Sequence, residues 1–419
     1  MRRNITAWYF VGLVTAAVAI SYFDRQTLPV AVEAIQRNIP ISNPQFASLQ
    51  AAFLVMYALF YVVGGKLLDS VGTRVGFAII MAWWSVACAL QGLAHGLSVL
   101  LLARFLLGMG EGGAFPAATR VVAEWLPVRH RATGMGIINA GTAVGSVLAA
   151  PLIGLILWLG NWRDMFFIAG ACGLLLTLWW TMSYRSPQQE RQELSPPIER
   201  KSAPAIPWLT LVRQKRVVGL VAAKFMSDAA WYFYLFWFPK YLYDARDFDM
   251  KHVSYFGWIP YAASGVGSFL GGWFSSRLLQ SGHSLNFSRK LALGLSAALM
   301  PVVILVTHAP ITVAIILFSI AFFGQQSWSG LIMTVSADVF PLGSVGSVAG
   351  LIGFGGAIGG AIFGIVAGQL LHHGTGYGAV FALAGSFHLI AFSIILLTAG
   401  ELRAADTDFY NNKDTLVSL

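Results

Sequence analysis

Charge is scarce in this chain. Asp, Glu, Lys and Arg together make up 11% of its 419 residues, while 57% are hydrophobic and the mean hydropathy is +0.69. So little polar surface cannot cover a soluble globule of this size, which excludes that class. Cysteine is nearly absent. Cys88 and Cys172 each sit inside an apolar run, where a small soft hydrophobe is the expected role, and no disulfide framework follows from them. The eight histidines are scattered and form no metal-ligand spacing; no nucleophile elbow is present either. Neither an enzyme nor a bound cofactor or metal is expected.

What is present instead is a succession of apolar runs of about 20 residues or more, the length that crosses a bilayer as a helix with all its backbone hydrogen bonds closed internally. Twelve are read, at approximately 7–36, 44–68, 74–93, 97–125, 132–158, 162–184, 214–243, 252–277, 288–308, 310–337, 346–370 and 377–400. Of the 27 Lys and Arg, 18 fall in the termini and the even-numbered connections, five in the odd-numbered ones (Arg37, Arg163, Lys240, Arg246, Lys251) and four inside spans (Arg25, Arg104, Arg120, Lys224). Positive charge collects on the cytoplasmic side, so both termini are expected there, in a multi-pass protein of the plasma membrane. The same bias accounts for the net charge of +9, so no nucleic-acid partner is needed. The lipid bilayer is the expected surrounding and a monomer the expected state. Met1-Arg2-Arg3 leads straight into the first run with no small-residue cleavage site before Asp24, so an uncleaved first span is expected.

One polar stretch interrupts the pattern. Ser186 to Pro197, rich in Gln, Glu and Pro, has nothing to bury and reads as a linker over 186–212 between a bundle of six spans at 1–185 and a second at 213–419. The halves echo one another. Glu124-Trp125-Leu126-Pro127, then Gly136, Gly141 and Gly145, returns 214 residues later as Asp338-Val339-Phe340-Pro341, then Gly350, Gly355 and Gly359; Gly64-Gly65 returns 207 residues on as Gly271-Gly272. Six plus six in the same membrane direction is a parallel repeat, and such proteins place their substrate site between the repeats near the midplane.

The rare charges inside spans carry the functional reading, because a charged side chain at the bilayer centre costs about 2.5 to 3.5 kcal/mol on insertion scales and persists where it has work to do. Asp24 and Arg25 interrupt the first run. Arg104 and Glu111, seven apart in the fourth, share a helix face about 10 Å apart along its axis. Glu111 lies among Gly and Met, where its charge is poorly hydrated, a setting for a carboxyl that loads and releases a proton. Its counterpart 214 residues on is Gln325, which keeps the shape and drops the titrating group. Lys224 and Asp228, four apart in the seventh run, can pair, and Gln325, Gln326, Trp328 and Ser329 in the tenth form a hydrogen-bonding cluster suited to a hydroxylated ligand. Plainer roles stay open: a helix end for Asp24 and Arg25, structural pairing for the two charged couples, packing for Tyr22, Tyr57 and Trp231. Three cations against three acids leave an empty cavity near neutrality. An anion admitted there brings an excess negative charge that protonating one carboxylate removes, so symport of an organic anion with a proton is expected.

Gly65-Lys66-Leu67-Leu68-Asp69-Ser70-Val71-Gly72-Thr73-Arg74 joins the second and third runs, with glycines for a tight reversal and Asp69 and Arg74 able to pair or to cap neighbouring helix ends. The pattern resembles the GxxxDxxGxR loop of the major facilitator superfamily, whose members are all-α membrane proteins with 12 transmembrane helices in two parallel six-helix repeats. In that family the loop is a cytoplasmic gate, which assigns Gly65, Asp69, Gly72 and Arg74 to gating here. The second copy, near Gly272 to Arg277, lacks the acid.

Tyr22-Phe23-Asp24-Arg25, the Arg104 to Glu111 spacing, Ala114-Phe115-Pro116 and Glu124-Trp125-Leu126-Pro127 together resemble the anion:cation symporter branch, which includes bacterial hexuronate and galactonate carriers and animal sialic acid transporters. The resemblance implies that Asp24 and Glu111 are the protonation sites and that Arg25, with Tyr22 and Tyr57, meets the substrate carboxylate. Asn139 in Asn-Ala-Gly, Lys224 with Asp228, Ala230-Trp231, and Gln326 before Ser329-Gly330 look most like hexuronate carriers. Galactonate carriers place amides where this chain has Thr142 and Gly353. Some hexuronate carriers lack an acid at the position of Asp24, so its presence here is more typical of the wider branch. Carriers of an aldonate, aldarate or aromatic acid, a phosphate-exchanging antiporter, and a sensor that binds without transport are the rival readings.

Overall fold

The computed structural model describes residues 2–186, 206–246, 256–374 and 376–405. Residues 187–205 of the expected linker lie outside the described residues, as does the stretch 247–255 that holds Lys251.

The apolar runs form helices. Among the described residues ten stretches are long and apolar enough to cross a membrane: Ile5–Val32, Ser48–Val71, Thr73–Gly92, Leu97–Trp125, Val128–Leu159, Trp162–Ser183, Leu285–His308, Ile311–Val339, Leu342–Leu371 and Gly376–Thr398. Two further long helices, Lys215–Arg246 and Ile259–Gln280, are more polar and bring the count to twelve. In chain order these are the first to the twelfth span. Side chains such as Trp158, Met182 and Leu397 stand exposed, as lipid-facing positions do.

Local chemistry sets the boundaries. Ser42 and Gln45 close a capping box at the start of the second span, and Asn161 and Asp164 another at the start of the sixth, which satisfies N–H groups that a helix start leaves unpaired. Gly72, at φ +83°, links Asn43–Val71 to Thr73–Gly92 with a single residue; a side chain there would strain the backbone. The fourth span breaks at Gly112 and Gly113 into Leu97–Glu111 and Ala114–Trp125, so Glu111 is the last residue of its helical segment. The ninth is likewise split, an α-helix over Leu285–Ala298 followed by a 3₁₀ helix over Met300–His308. In the first span, Pro29 has no N–H to offer the Arg25 carbonyl, and Thr27 Oγ1 donates to the Asp24 carbonyl at 2.6 Å. The helix is thereby loosened at the two charged residues.

The chain groups into two compact units. Unit 1 holds Met1–Leu126, Gly141–Ile206 and Pro341–Leu351; unit 2 holds Pro127–Ala140, Pro207–Phe340 and Ile352–Leu419. The start of the eleventh span therefore packs within unit 1, and the start of the fifth within unit 2. In unit 1, Gly65 lies against the backbone of Gly346, and Gly350 against that of Tyr61. In unit 2, Gly272 lies against Ala132, and Gly136 against Ser268. These are the same contacts displaced by the two repeat offsets, 207 and 214 residues, so the sequence repeat is also a repeat of backbone packing. Glycine is needed because a Cβ at any of the four would meet backbone rather than a side chain able to move aside.

Unit 2 also carries an aromatic core, with Phe238 edge-on to Phe318 at 4.5 Å and Phe318, Phe322 and Phe381 fully buried around it. Such pairs add about 0.5 to 1.5 kcal/mol beyond the area they bury. They fix the seventh, tenth and twelfth spans and so the depth of Lys224 and Asp228.

Candidate functional site

In unit 1 the intramembrane charges face protein, not lipid. Asp24 and Glu111 are fully buried and the Arg25 side chain is only 15% exposed. Arg25 Nε donates to Glu111 Oε2 at 2.5 Å, and its guanidinium lies over the rings of Tyr57 at 4.2 Å and Tyr22 at 4.3 Å. An aromatic sandwich around a desolvated guanidinium is worth about 0.5 to 2 kcal/mol per ring and holds the group flat, edges outward. Among the described residues Arg25 Nη2, Glu111 Oε1 and both Asp24 carboxyl oxygens have no partner in full hydrogen-bond geometry, with the Cys88 thiol the neighbour of Asp24 and the Ser21 hydroxyl that of Glu111.

Arg104 is buried at the same site but does not pair with Glu111. Its Nη2 donates to Gln50 Oε1, and its plane lies over Phe53 at 4.9 Å, while Nε and Nη1 are uncommitted. Phe53 also faces Arg25, at 5.3 Å, and Tyr57 and Tyr61 join through their hydroxyls at 2.9 Å. Gln50 and Phe53 are site residues that the sequence reading missed. Gln50, Phe53, Tyr57 and Tyr61 recur at three- and four-residue spacing on one helix face, and that polar and aromatic periodicity in an apolar run is the signal that would have found them. Two basic and two acidic side chains thus meet with several donors and acceptors unused, an arrangement able to take a carboxylate and a proton.

Unit 2 gathers the expected polar residues into two groups. Lys224 Nζ lies 2.9 Å from Asp228 Oδ1 and donates to Ser329 Oγ at 2.9 Å. Asn139 Nδ2 donates to Gln326 Oε1 at 2.7 Å and to Ser268 Oγ at 3.0 Å, and Ser268 Oγ in turn donates to the Gly136 carbonyl. Asn139 therefore ties the fifth, eighth and tenth spans together. Trp328 is fully buried, edge-on to His388 at 5.5 Å, with its Nε1 unpartnered. Trp231 packs edge-on to Phe322 at 5.4 Å, against the aromatic core.

The four loop residues divide their work. Asp69 accepts from the backbone N–H of Gly346 at 3.1 Å and of Ser347 at 2.7 Å, near the start of the eleventh span, and pairs with Arg120. Gly346 and Ser347 are the fifth and sixth residues of Leu342–His372, so the carboxylate lies near the positive end of that helix's dipole. Arg74 reaches the Thr181 carbonyl near the end of the sixth span, 2.6 Å from Nη2. The two residues thus cap neighbouring helix ends separately. Gly65 and Gly72 give the close approach and the reversal described above. In unit 2, Ser276 Oγ accepts from Thr133 N at 3.1 Å, the counterpart of the Asp69 to Ser347 contact at the same two offsets. Asp338 is held there by Arg289 Nε at 2.7 Å and Arg131 Nη1 at 3.5 Å.

Residues 14–364 match the profile of the Major Facilitator Superfamily. The hexuronate transporter of Escherichia coli K12 is 28% identical over 405 residues, 93% of each chain. The galacturonate transporter of Dickeya chrysanthemi is 30% identical over 311 residues, covering 70% of this chain and 88% of its own. Among solved structures, the major facilitator transporter FucP in its outward conformation superposes with a TM-score of 0.75 at 14% identity, over 94% of this chain and 99% of its own, a likeness of fold.

Proposed function

Because this chain belongs to the Major Facilitator Superfamily, a family of transporters rather than enzymes, we propose that it is a secondary active transporter moving an organic anion, of the hexuronate sugar acid class, together with a proton by alternating access. The observation that carries the reading is the Arg25 guanidinium, clamped between Tyr22 and Tyr57, bonded to Glu111 through Nε and uncommitted at Nη2. A planar guanidinium with one edge free takes a carboxylate oxygen through a charge-assisted hydrogen bond. A carboxylate arriving there competes with Glu111 for Arg25. Glu111, displaced from its cation in a buried site, then takes up a proton, because an unpaired carboxylate removed from water is strongly disfavoured. Asp24, buried nearby with both oxygens unpartnered, is the second proton site. Anion and proton therefore load together.

The sugar-acid class rests on two supports. Relatives that align along most of the chain carry hexuronate and galacturonate in their names. The hydroxyl and amide groups of Asn139, Gln326 and Ser329, with Lys224 and Asp228, suit a polyhydroxylated ring. Six spans on either side of 186–212 form the two moving bundles, Asp69 and Arg74 gate them, and both termini are cytoplasmic by the charge bias. The test is uptake of labelled galacturonate into proteoliposomes under an imposed pH gradient. An uncoupler abolishes it on this reading; uptake that survives the uncoupler and rises with internal phosphate refutes it in favour of exchange.

A further inference from the structure

Three polar side chains on one face of the third span have no part in the site described so far. Trp84, Cys88 and Gln91 follow one another at four- and three-residue spacing, and at 100° per residue Cys88 and Gln91 stand about 60° apart around the helix. All three are buried to 1% exposure or less. Trp84 Nε1 and both amide atoms of Gln91 have no hydrogen-bond partner among the described residues, and Ser21 on the first span stands beside Glu111. Cys88 faces Asp24, whose two carboxyl oxygens are unpartnered as well. Buried polar groups are nearly always hydrogen-bonded, to protein or to ordered water, and an apolar cavity holds no water whereas a polar one does. Unmet donors and acceptors at zero or near-zero exposure, with Cys88 of the third span beside Asp24 of the first, are the pattern that a hydrated seam leaves.

Its direction gives it a use. Gln91 is the penultimate residue of Thr73–Gly92, so it lies at one end of the span; Cys88 lies about 4.5 Å deeper at 1.5 Å per residue, beside Asp24. A carboxyl with no exposure exchanges a proton only along hydrogen-bonded groups that lead to it. We propose that Gln91 and Cys88 line a narrow file of water along the third span that carries protons between that end of the membrane and the Asp24 carboxyl, apart from the Arg25 edge that takes the substrate. The inference rests on the proton-coupled reading above. Each transfer breaks one O–H bond of hydronium and forms one on an Asp24 oxygen, leaving water, and release runs in reverse. Gln91 suits the part because its amide both donates and accepts, so it holds water in either orientation. The groups facing Asp24 are Cys88 from the third span, Glu111 from the fourth and Arg25 from its own helix, with Arg104 of the fourth acting on Cys88. The sixth span, packed on both the first and the third, brings Arg163 to the Gln91 end, where its Nη2 donates to the Ala94 carbonyl at 3.1 Å.

The test uses the reconstituted full chain. Gln91→Leu is expected to slow galacturonate uptake driven by a pH gradient at least tenfold while the KM of counterflow exchange stays within twofold; Gln91→Asn, which keeps the amide, retains most of the rate. Unchanged uptake in Gln91→Leu, or equal loss of uptake and exchange in a folded variant, overturns the inference. A second readout does not depend on that variant folding. In a Cys172→Ser background, X-ray radiolytic footprinting, which makes hydroxyl radicals from water already inside the protein, oxidises Cys88 if the file holds water, and an unoxidised Cys88 overturns the proposal. Absence of gradient-driven uptake in the unaltered protein would instead refute the proton-coupled reading, an outcome that Cys88 oxidation does not mimic.

Discussion

Arg25 Nε donates to Glu111 Oε2 across 2.5 Å, joining residues 86 apart in the sequence at a point where both are buried in the interior of unit 1. The cation expected to receive the substrate is thus already held by the acid expected to receive the proton. In the proposed mechanism, competition for this one guanidinium is what couples the two loads.

Arg25→Lys keeps the positive charge and loses both the planar fork and the stacking on Tyr22 and Tyr57. Those contacts are worth about 1 to 3 kcal/mol together, so the KM for galacturonate rises about tenfold or more while the purified protein keeps its monodisperse elution. Initial-rate kinetics in proteoliposomes check this.

Asp69 and Ser276 occupy matching positions in the repeat but differ in charge. Asp69→Ala removes a charge-assisted cap of two N–H groups and the partner of Arg120, whereas Ser276→Ala removes one neutral acceptor from Thr133 N. The first is expected to cost about 2 to 4 kcal/mol and the second about 1. Thermal unfolding of the two variants in one detergent should therefore show a clearly larger drop in Tm for Asp69→Ala.

Asn139→Leu strands Gln326 Oε1 and removes the tie between three helices. Each buried polar group left unpaired costs about 1 to 3 kcal/mol, so Tm falls by several degrees and galacturonate binding, followed by thermal shift, weakens. Asn139→Asp, which keeps an acceptor but loses the donor that both bonds use, behaves like Leu rather than like the parent.

Gly65→Leu and Gly272→Leu each place a side chain where backbone lies, against Gly346 and Ala132 respectively. The helices must separate to admit it, so transport is expected to fall below a tenth of the parent rate in both variants. Uptake assays on protein normalised for reconstitution decide this.

The fold was legible because it is written in long-period features. Apolar runs gave twelve helices to within a few residues, and the glycine and Glu-Trp-Leu-Pro echoes gave a repeat that reappears as matched backbone contacts at Gly65 and Gly272. The charged site was legible because charge is rare in spans. Pairing was not: Asp24 sits next to Arg25 in sequence, yet Arg25 bonds Glu111 and Arg104 bonds Gln50, choices set by how the first, second and fourth helices are rotated. Gln50 and Gln91 are not singled out by sequence because a neutral polar residue in an apolar run is common; Gln50 is set apart by its bond to Arg104 and Gln91 by burial without a partner among the described residues. The seventh span falls short as an apolar segment because Lys224 and Asp228 lower its hydropathy, and the eighth because serine and glycine fill it.

Proton movement measured directly bears hardest on the central claim. Galacturonate added to lightly buffered proteoliposomes containing the protein should alkalinise the medium as anion and proton enter together, and Glu111→Gln should abolish that signal while labelled counterflow exchange continues. No alkalinisation with the parent protein, or an undiminished signal with Glu111→Gln, would contradict the coupling of Arg25 and Glu111 described here.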